Sequence, residues 1–262
     1  IGGVLVSLCA ALLGVSLVLK RYSMIGDGLS HVSFGALSIA IAFGFAPIKF
    51  SIPIVIIAAF FLLRLAENGK MKSDAAIAMV SASSLAIGVI VTSLTTGLST
   101  DVCSYMFGSI LAMSKDDVIF SVALSVVVLI MFGFCYHRIF AVTFDESFSK
   151  ATGVKVGMYN TLISIFTAVT VVLGIKMMGA MLISSLIIFP ALTSMRVFKS
   201  FLSVTICSAV IAMINFIAGL IASYVLSIPA GASVVVANLI MFVAFIIVGN
   251  ILNVIRLRKY SK

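Results

Sequence analysis

The sequence predicts an all-α protein, a bundle of eight or nine transmembrane helices that cannot fold as a soluble domain. Of its 262 residues 63% are hydrophobic and 10% charged, against about 45–50% and about 25% in an ordinary soluble domain. The apolar residues fall into runs of the length a helix needs to cross a hydrocarbon core, about 20 residues, and charged clusters separate the runs. Runs such as VIFSVALSVVVLIMFGFCY (118–136) lack the period-two alternation of a membrane β-barrel. Lipid offers no partner to a free amide, so each span must close its own hydrogen bonds as a helix.

The first span, 1–19, is apolar enough for a signal sequence, but it has no basic leader and many similar spans follow it. The chain opens at Ile1 without an initiator Met, which predicts that the natural N-terminus extends further; residues 1–262 read as a single transmembrane domain. The second and third spans, 24–46 and 50–63, are unusual because their clearly apolar parts, 32–46 and 50–63, are short. Two readings stay open: a discontinuous helix at a transport site, or a tilted hairpin with Pro47 in its turn. Further spans fall at 75–94, 118–136, 156–175, 177–195, 201–227 and 231–253.

Lys and Arg are retained on the cytoplasmic side in short loops. Alternation from a cytoplasmic Lys20-Arg21 puts fourteen of the seventeen cations inside, leaves Lys49, Lys115 and Lys176 outside, and makes the C-terminus cytoplasmic. A basic rim facing anionic lipid then accounts for the net charge of +9, and no nucleic-acid partner is needed. Four scattered cysteines, Cys9, Cys103, Cys135 and Cys207, signal neither a disulfide framework nor a cysteine metal site.

A charge inside a span costs roughly 2.5–3.5 kcal/mol on insertion scales, so it is a functional candidate by default. Asp27 lies in YSMIGDGLSHVSFGALSIA (22–40), and His31 follows at i+4; a helix would put both on one face. A carboxylate and an imidazole there make a bidentate site for a first-row divalent cation or a proton. The competing reading has Asp27 capping a helix that starts near Gly28, with His31 hydrogen-bonded in its first turn. The other histidine, His137, adjoins Arg138 at the end of a span and reads as interfacial.

Two polar stretches remain. Residues 99–117 form an external connection in which Asp101, Asp116 and Asp117 are weak cation attractors, or simply a solvated loop. Residues 144–157, FDESFSKATGVKVG, suit a short amphipathic helix that docks a partner or merely connects two spans. No phosphate-binding Gly-rich loop, nucleophile elbow or paired metalloprotease histidines occur, so the chain is not itself an ATPase. On the residues alone a secondary transporter using Asp27 as a relay, or an intramembrane metallo-hydrolase using both residues, competes with an ATP-driven transporter.

The segment SMIGDGLSHVSFGALSIA (23–40), followed in order by SYMFGSIL (104–111), FDESFSKATGV (144–154), GAMLISSLIIFPALTSMRV (179–197) and PAGASVV (229–235), resembles the permease subunits of bacterial zinc/manganese-type ABC importers. The likeness runs through nearly the whole chain. It implies a type II ABC importer permease fold, a homodimer in the bacterial cytoplasmic membrane, a pair of cytoplasmic ATPase subunits and an extracytoplasmic metal-binding lipoprotein. It implies no enzyme and no resident cofactor; the metal is cargo. By the resemblance Asp27 and His31 line the metal path, Asp101 and Tyr105 belong to its external part, and Phe144, Asp145, Glu146 and Gly153 form the ATPase-facing surface. The wording after His31, Val32-Ser33-Phe34-Gly35, leans to the zinc members over the manganese members.

Overall fold

The computed structural model describes residues 2–67, 73–95 and 115–260, and among these every regular element is a helix. In chain order they are α1 (Gly2–Leu19), α2 (Ser23–Ala42), α3 (Pro47–Glu67), α4 (Ser73–Leu94), α5 (Lys115–Phe144), α6 (Glu146–Ala151), α7 (Val156–Met178), α8 (Ala180–Met195), α9 (Phe201–Leu226) and α10 (Ala230–Tyr260). Eight of these are long and apolar enough to cross a membrane. The helix α8 is not, because 16 residues give only about 24 Å.

Two ion pairs mark the ends of the bundle. At one, Lys176 Nζ at the end of α7 lies 2.6 Å from Asp117 Oδ2 at the start of α5. At the other, Lys20 Nζ after α1 lies 2.7 Å from Glu146 Oε1 at the start of α6. Short as it is, α8 joins the two ends. It starts beside Lys176, runs antiparallel to α2 with Ser184 against Ser30 and Ile187 against Gly26, and leads to Phe201, whose ring meets Phe144 next to Glu146. The helix gets by with fewer residues because it packs against α1, α2, α7, α9 and α10.

The second and third spans are unbroken helices joined by a tight turn. At the end of α2, Phe45 N donates to Ala40 O and Gly44 N to Ile41 O, with Gly44 at φ +71°. This is the Schellman closure that a glycine at that position favours. Pro47 opens α3, where its missing N–H would have had no helical partner anyway. The hairpin reading of these spans therefore holds, and the discontinuous-helix reading does not. The same closure ends α1, with Tyr22 N donating to Leu17 O and Arg21 N to Val18 O, but here the left-handed residue is Arg21 at φ +61°.

Packing is closest where side chains vanish. A methyl group built on Gly14 of α1 would overlap the Ile187 carbonyl oxygen of α8, and one on Gly35 of α2 would stand 2.7 Å from the Ser84 carbonyl oxygen of α4. Within a membrane such contact distances supply the dispersion energy that the hydrophobic effect cannot. A buried polar thread adds to them. Asn215 of α9 donates to Asn238 of α10 at 2.7 Å, and Asn238 donates to Ser185 Oγ of α8 at 3.2 Å. Such interhelical bonds contribute roughly 0.6–2 kcal/mol each.

Candidate metal path and partner surface

Asp27 and His31 sit in the first two and a half turns of α2. The helix begins at Ser23 with Tyr22 at its N-cap position, so Asp27 lies a full turn inside and cannot be the cap of a helix starting at Gly28. The capping reading fails because the helix extends further toward Lys20 than the polar sequence indicated. The glycines on either side set what flanks the pair. Gly26 abuts Ile187 of α8, and Gly28 abuts Ile77 of α4 and Leu62 of α3. At 100° per residue the Asp27–His31 stripe therefore opens between α8 and α4.

Most of α2 is buried, but the two side chains remain 40% and 31% exposed. Their nearest atoms, Asp27 Oδ2 and His31 Nε2, are 3.8 Å apart, beyond hydrogen-bond range. A tetrahedral ion with bonds of about 2.0–2.1 Å sets its ligand atoms about 3.3–3.4 Å apart, so a small rotamer adjustment would let one cation hold both. Ser30 and Ser184 lie beside the stripe, their hydroxyls 3.4 Å apart, and Ser30 also donates to the Asp27 carbonyl. Among the described residues no cluster of three or more His, Cys, Asp and Glu forms; the pair offers two ligands. A cavity of about 440 Å³ at the Lys176 end holds Asp116 and Asp117, but Lys49 lines it too, and that ammonium opposes a cation. Asp101 and Tyr105 lie outside the described residues.

The four residues proposed for the partner surface cluster around α6, with different roles. Asp145 is the N-cap of α6, its carboxylate accepting from Phe148 N at 2.9 Å. Glu146 turns inward, accepting from Lys20 and, at 3.2 Å, from Asn160 Nδ2 of α7. Burial pushes its pKa up, but the hydrogen bonds from Lys20 and Asn160 and the charges of Lys20 and Lys150 outweigh it. The carboxyl sits below the ordinary Glu value of 4.5. Gly153 closes the helix at φ +81°. The outward groups are aromatic: Phe144 and Phe148 are each more than 60% exposed.

Sequence reasoning missed Phe148, Lys20 and Asn160. In the sequence Lys20 is no more than a charge that fixes orientation. Asn160 and Asn238 carried a signal that went unused, since an amide inside an apolar run needs a partner on another helix.

The profile of the ABC 3 transport family matches residues 1–249. The chain belongs to this family. Its relatives include a probable metal transport system membrane protein of Treponema pallidum, 32% identical over 94% of this chain and 93% of that one. The zinc uptake membrane protein ZnuB of Haemophilus influenzae is 28% identical over 92% of each chain. The manganese import permease ScaB of Streptococcus gordonii is 27% identical over 92% of this chain and 87% of that one. Among solved structures, PsaBC from Streptococcus pneumoniae in complex with Fab superposes with a TM-score of 0.83 at 26% identity, covering 93% of this chain and 88% of that one. A metal-chelate type ABC transporter shares the fold at a TM-score of 0.64 and 16% identity, over 98% of this chain and 85% of that one.

This ABC 3 family member is thus a multi-pass membrane protein, the permease of an ABC metal importer. It is not a catalytic subunit, and ATP is hydrolysed on a separate one. That placement removes the need for Asp27 as a proton relay of a secondary transporter or as part of a metallo-hydrolase.

Proposed function

We propose that the chain is the translocating subunit of a zinc importer, with manganese the second choice of cargo, and that the ion passes between Asp27 and His31. The observation that carries this reading is the pair itself: a carboxylate and an imidazole one turn apart, left partly exposed on an otherwise buried membrane helix. Few ligands suit the task, because an ion that is to leave again must not be held in a full cage. An imidazole with a carboxylate accommodates zinc, whereas a manganese site draws more on oxygen donors. The sequence after His31 leans the same way. A second copy of the chain would bring a second pair across the dimer axis, and the gap between α4 and α8 is the side of α2 left for it.

The Lys20 end, with α6 and the C-terminus, faces the cytoplasm of a bacterium in this reading, and Phe144 and Phe148 meet the ATPase subunit there. The Lys176 end receives the metal from an extracytoplasmic lipoprotein. The test is uptake of zinc and of manganese, each at limiting concentration, in a strain deleted for its own permease. Restored zinc uptake that Asp27→Asn removes at matched membrane levels is the expected result. Zinc uptake unaffected by Asp27→Asn would refute the path, and restoration of manganese uptake alone would refute the cargo.

A further inference from the structure

We propose that Lys20 and Glu146 form a strut that transmits motion of the partner-facing helix α6 to the metal-bearing helix α2, which makes Lys20 a positioning residue for transport. The inference rests on the reading of α6 as the ATPase-docking element and extends it to the next step. The Lys20 side chain is only 5% exposed, and its ammonium is held by Glu146 of α6 and the Asn160 side-chain oxygen of α7. A buried ammonium of this kind is held in place by its partners, because losing Glu146 would leave its charge uncompensated and losing Asn160 would leave a donor without its acceptor.

The other end of the strut is just as constrained. Lys20 sits in the closure that ends α1, where Arg21 is left-handed and Tyr22 N bonds back to Leu17 O. Ile25 N then bonds to Tyr22 O, and α2 starts at Ser23. There is no slack residue between the ammonium and α2. Asp27 and His31 lie within the first two and a half turns of that helix, and Gly26 and Gly28 hold it against α8 and α4. A displacement of α6 relative to α7 therefore has a path, through one ion pair and one rigid turn, to the gap that the metal must pass. The contact runs from carboxylate to turn to helix, with packed elements on both sides, as a shear transition between two arrangements requires.

The experiment uses the permease expressed with its ATPase subunit and compares Lys20→Glu, Glu146→Lys and the double swap. Each is scored for membrane level, co-purified ATPase subunit, ATP hydrolysis and metal uptake. Lys20→Glu is expected to keep the ATPase subunit bound and hydrolysing while uptake falls by about tenfold or more, the scale of coupling between sites in switching proteins; Glu146→Lys is expected to lower uptake to a similar extent. The swap should recover a large part of that loss. Wild-type uptake in either single variant overturns the strut, and so does a swap that restores membrane level without restoring uptake. If the single variants fail to reach the membrane, Lys20→Gln, which removes the charge but keeps a donor for Glu146, takes their place; bound ATPase with impaired uptake is then expected, and wild-type uptake overturns the proposal. Phe148→Ala separates the two ideas. Retention of the ATPase subunit in that variant would refute the docking reading, whereas loss of the subunit in Lys20→Glu as well would refute the strut and leave docking standing.

Discussion

Two acid–base pairs draw on residues near the start of this chain and are built in different ways. In Lys20–Glu146 the charges meet at 2.7 Å, the lysine is buried, and Asn160 fills the remaining valence. In Asp27–His31, one helix away, the atoms stand 3.8 Å apart and both side chains keep a third or so of their surface. The first pair joins three elements of the fold, with Lys20 and Asn160 both donating to Glu146 Oε1. The second lies on a single helix, where nearness is a by-product of the i+4 spacing, and its polar atoms have capacity to spare. Inside a membrane an ion pair left incomplete is costly, so the contrast separates groups that hold the protein together from groups kept for a visitor.

The sharpest way to break that contrast is to remove the spare pair. His31→Ala should bring metal uptake down to the level of cells without the permease, with normal membrane amounts. Asp27→Asn should do nearly the same, because it keeps the shape and removes the charge. Neither should lower thermal stability by more than about 1 kcal/mol, the scale of a surface ion pair. A variant that transports well but is much less stable would put Asp27–His31 in the structural class with Lys20–Glu146.

Removing aromatic surface should act on assembly alone. Phe144→Ala combined with Phe148→Ala is expected to reduce co-purification of the ATPase subunit several-fold without changing membrane level, since neither ring is buried by the chain. At the Lys176 end, Lys176→Gln removes an ion pair with no assigned part in transport. It should lower stability by about 1–3 kcal/mol, the worth of a charged hydrogen bond, and leave uptake intact, as read by thermal unfolding in detergent beside a transport assay.

The smallest expected effect is one of pH. The Glu146 carboxyl is held below its ordinary value of 4.5, so its contribution is present at neutral pH and is lost as pH falls through that lowered value. The stability difference between the wild type and Glu146→Gln should therefore be full at pH 7 and shrink once the pH is well below 4.5. A difference that grows on acidification would mean that the pair is not what Glu146 contributes.

The helical membrane architecture was legible in the sequence because eight of its helices are long apolar runs. The position of Asp27 and His31 on one face was legible because i+4 spacing needs only a helix. Where α2 begins was legible in the span boundary at residue 24, one from the observed Ser23, whereas the capping reading placed the start near Gly28. The partners of Lys20 were invisible, as Glu146 and Asn160 lie more than a hundred residues away. Nothing in a single sequence distinguishes a lysine that marks the membrane boundary from one that is tied to another helix.

Gly179 alone separates α7 from α8, at φ +88° and ψ 159°, a conformation essentially closed to any residue with a side chain. Its consequence lies in biogenesis. With a one-residue link and only 16 residues of its own, α8 is too short to be handed to the bilayer as an independent segment. It must enter as the second limb of a hairpin whose first limb is α7, and it then finds α1 and α2, synthesised earlier, already in place to receive it. A β-carbon at position 179 would obstruct that fold-back while the chain is still being made, so its first symptom would be protein that never accumulates, before any question of transport arises.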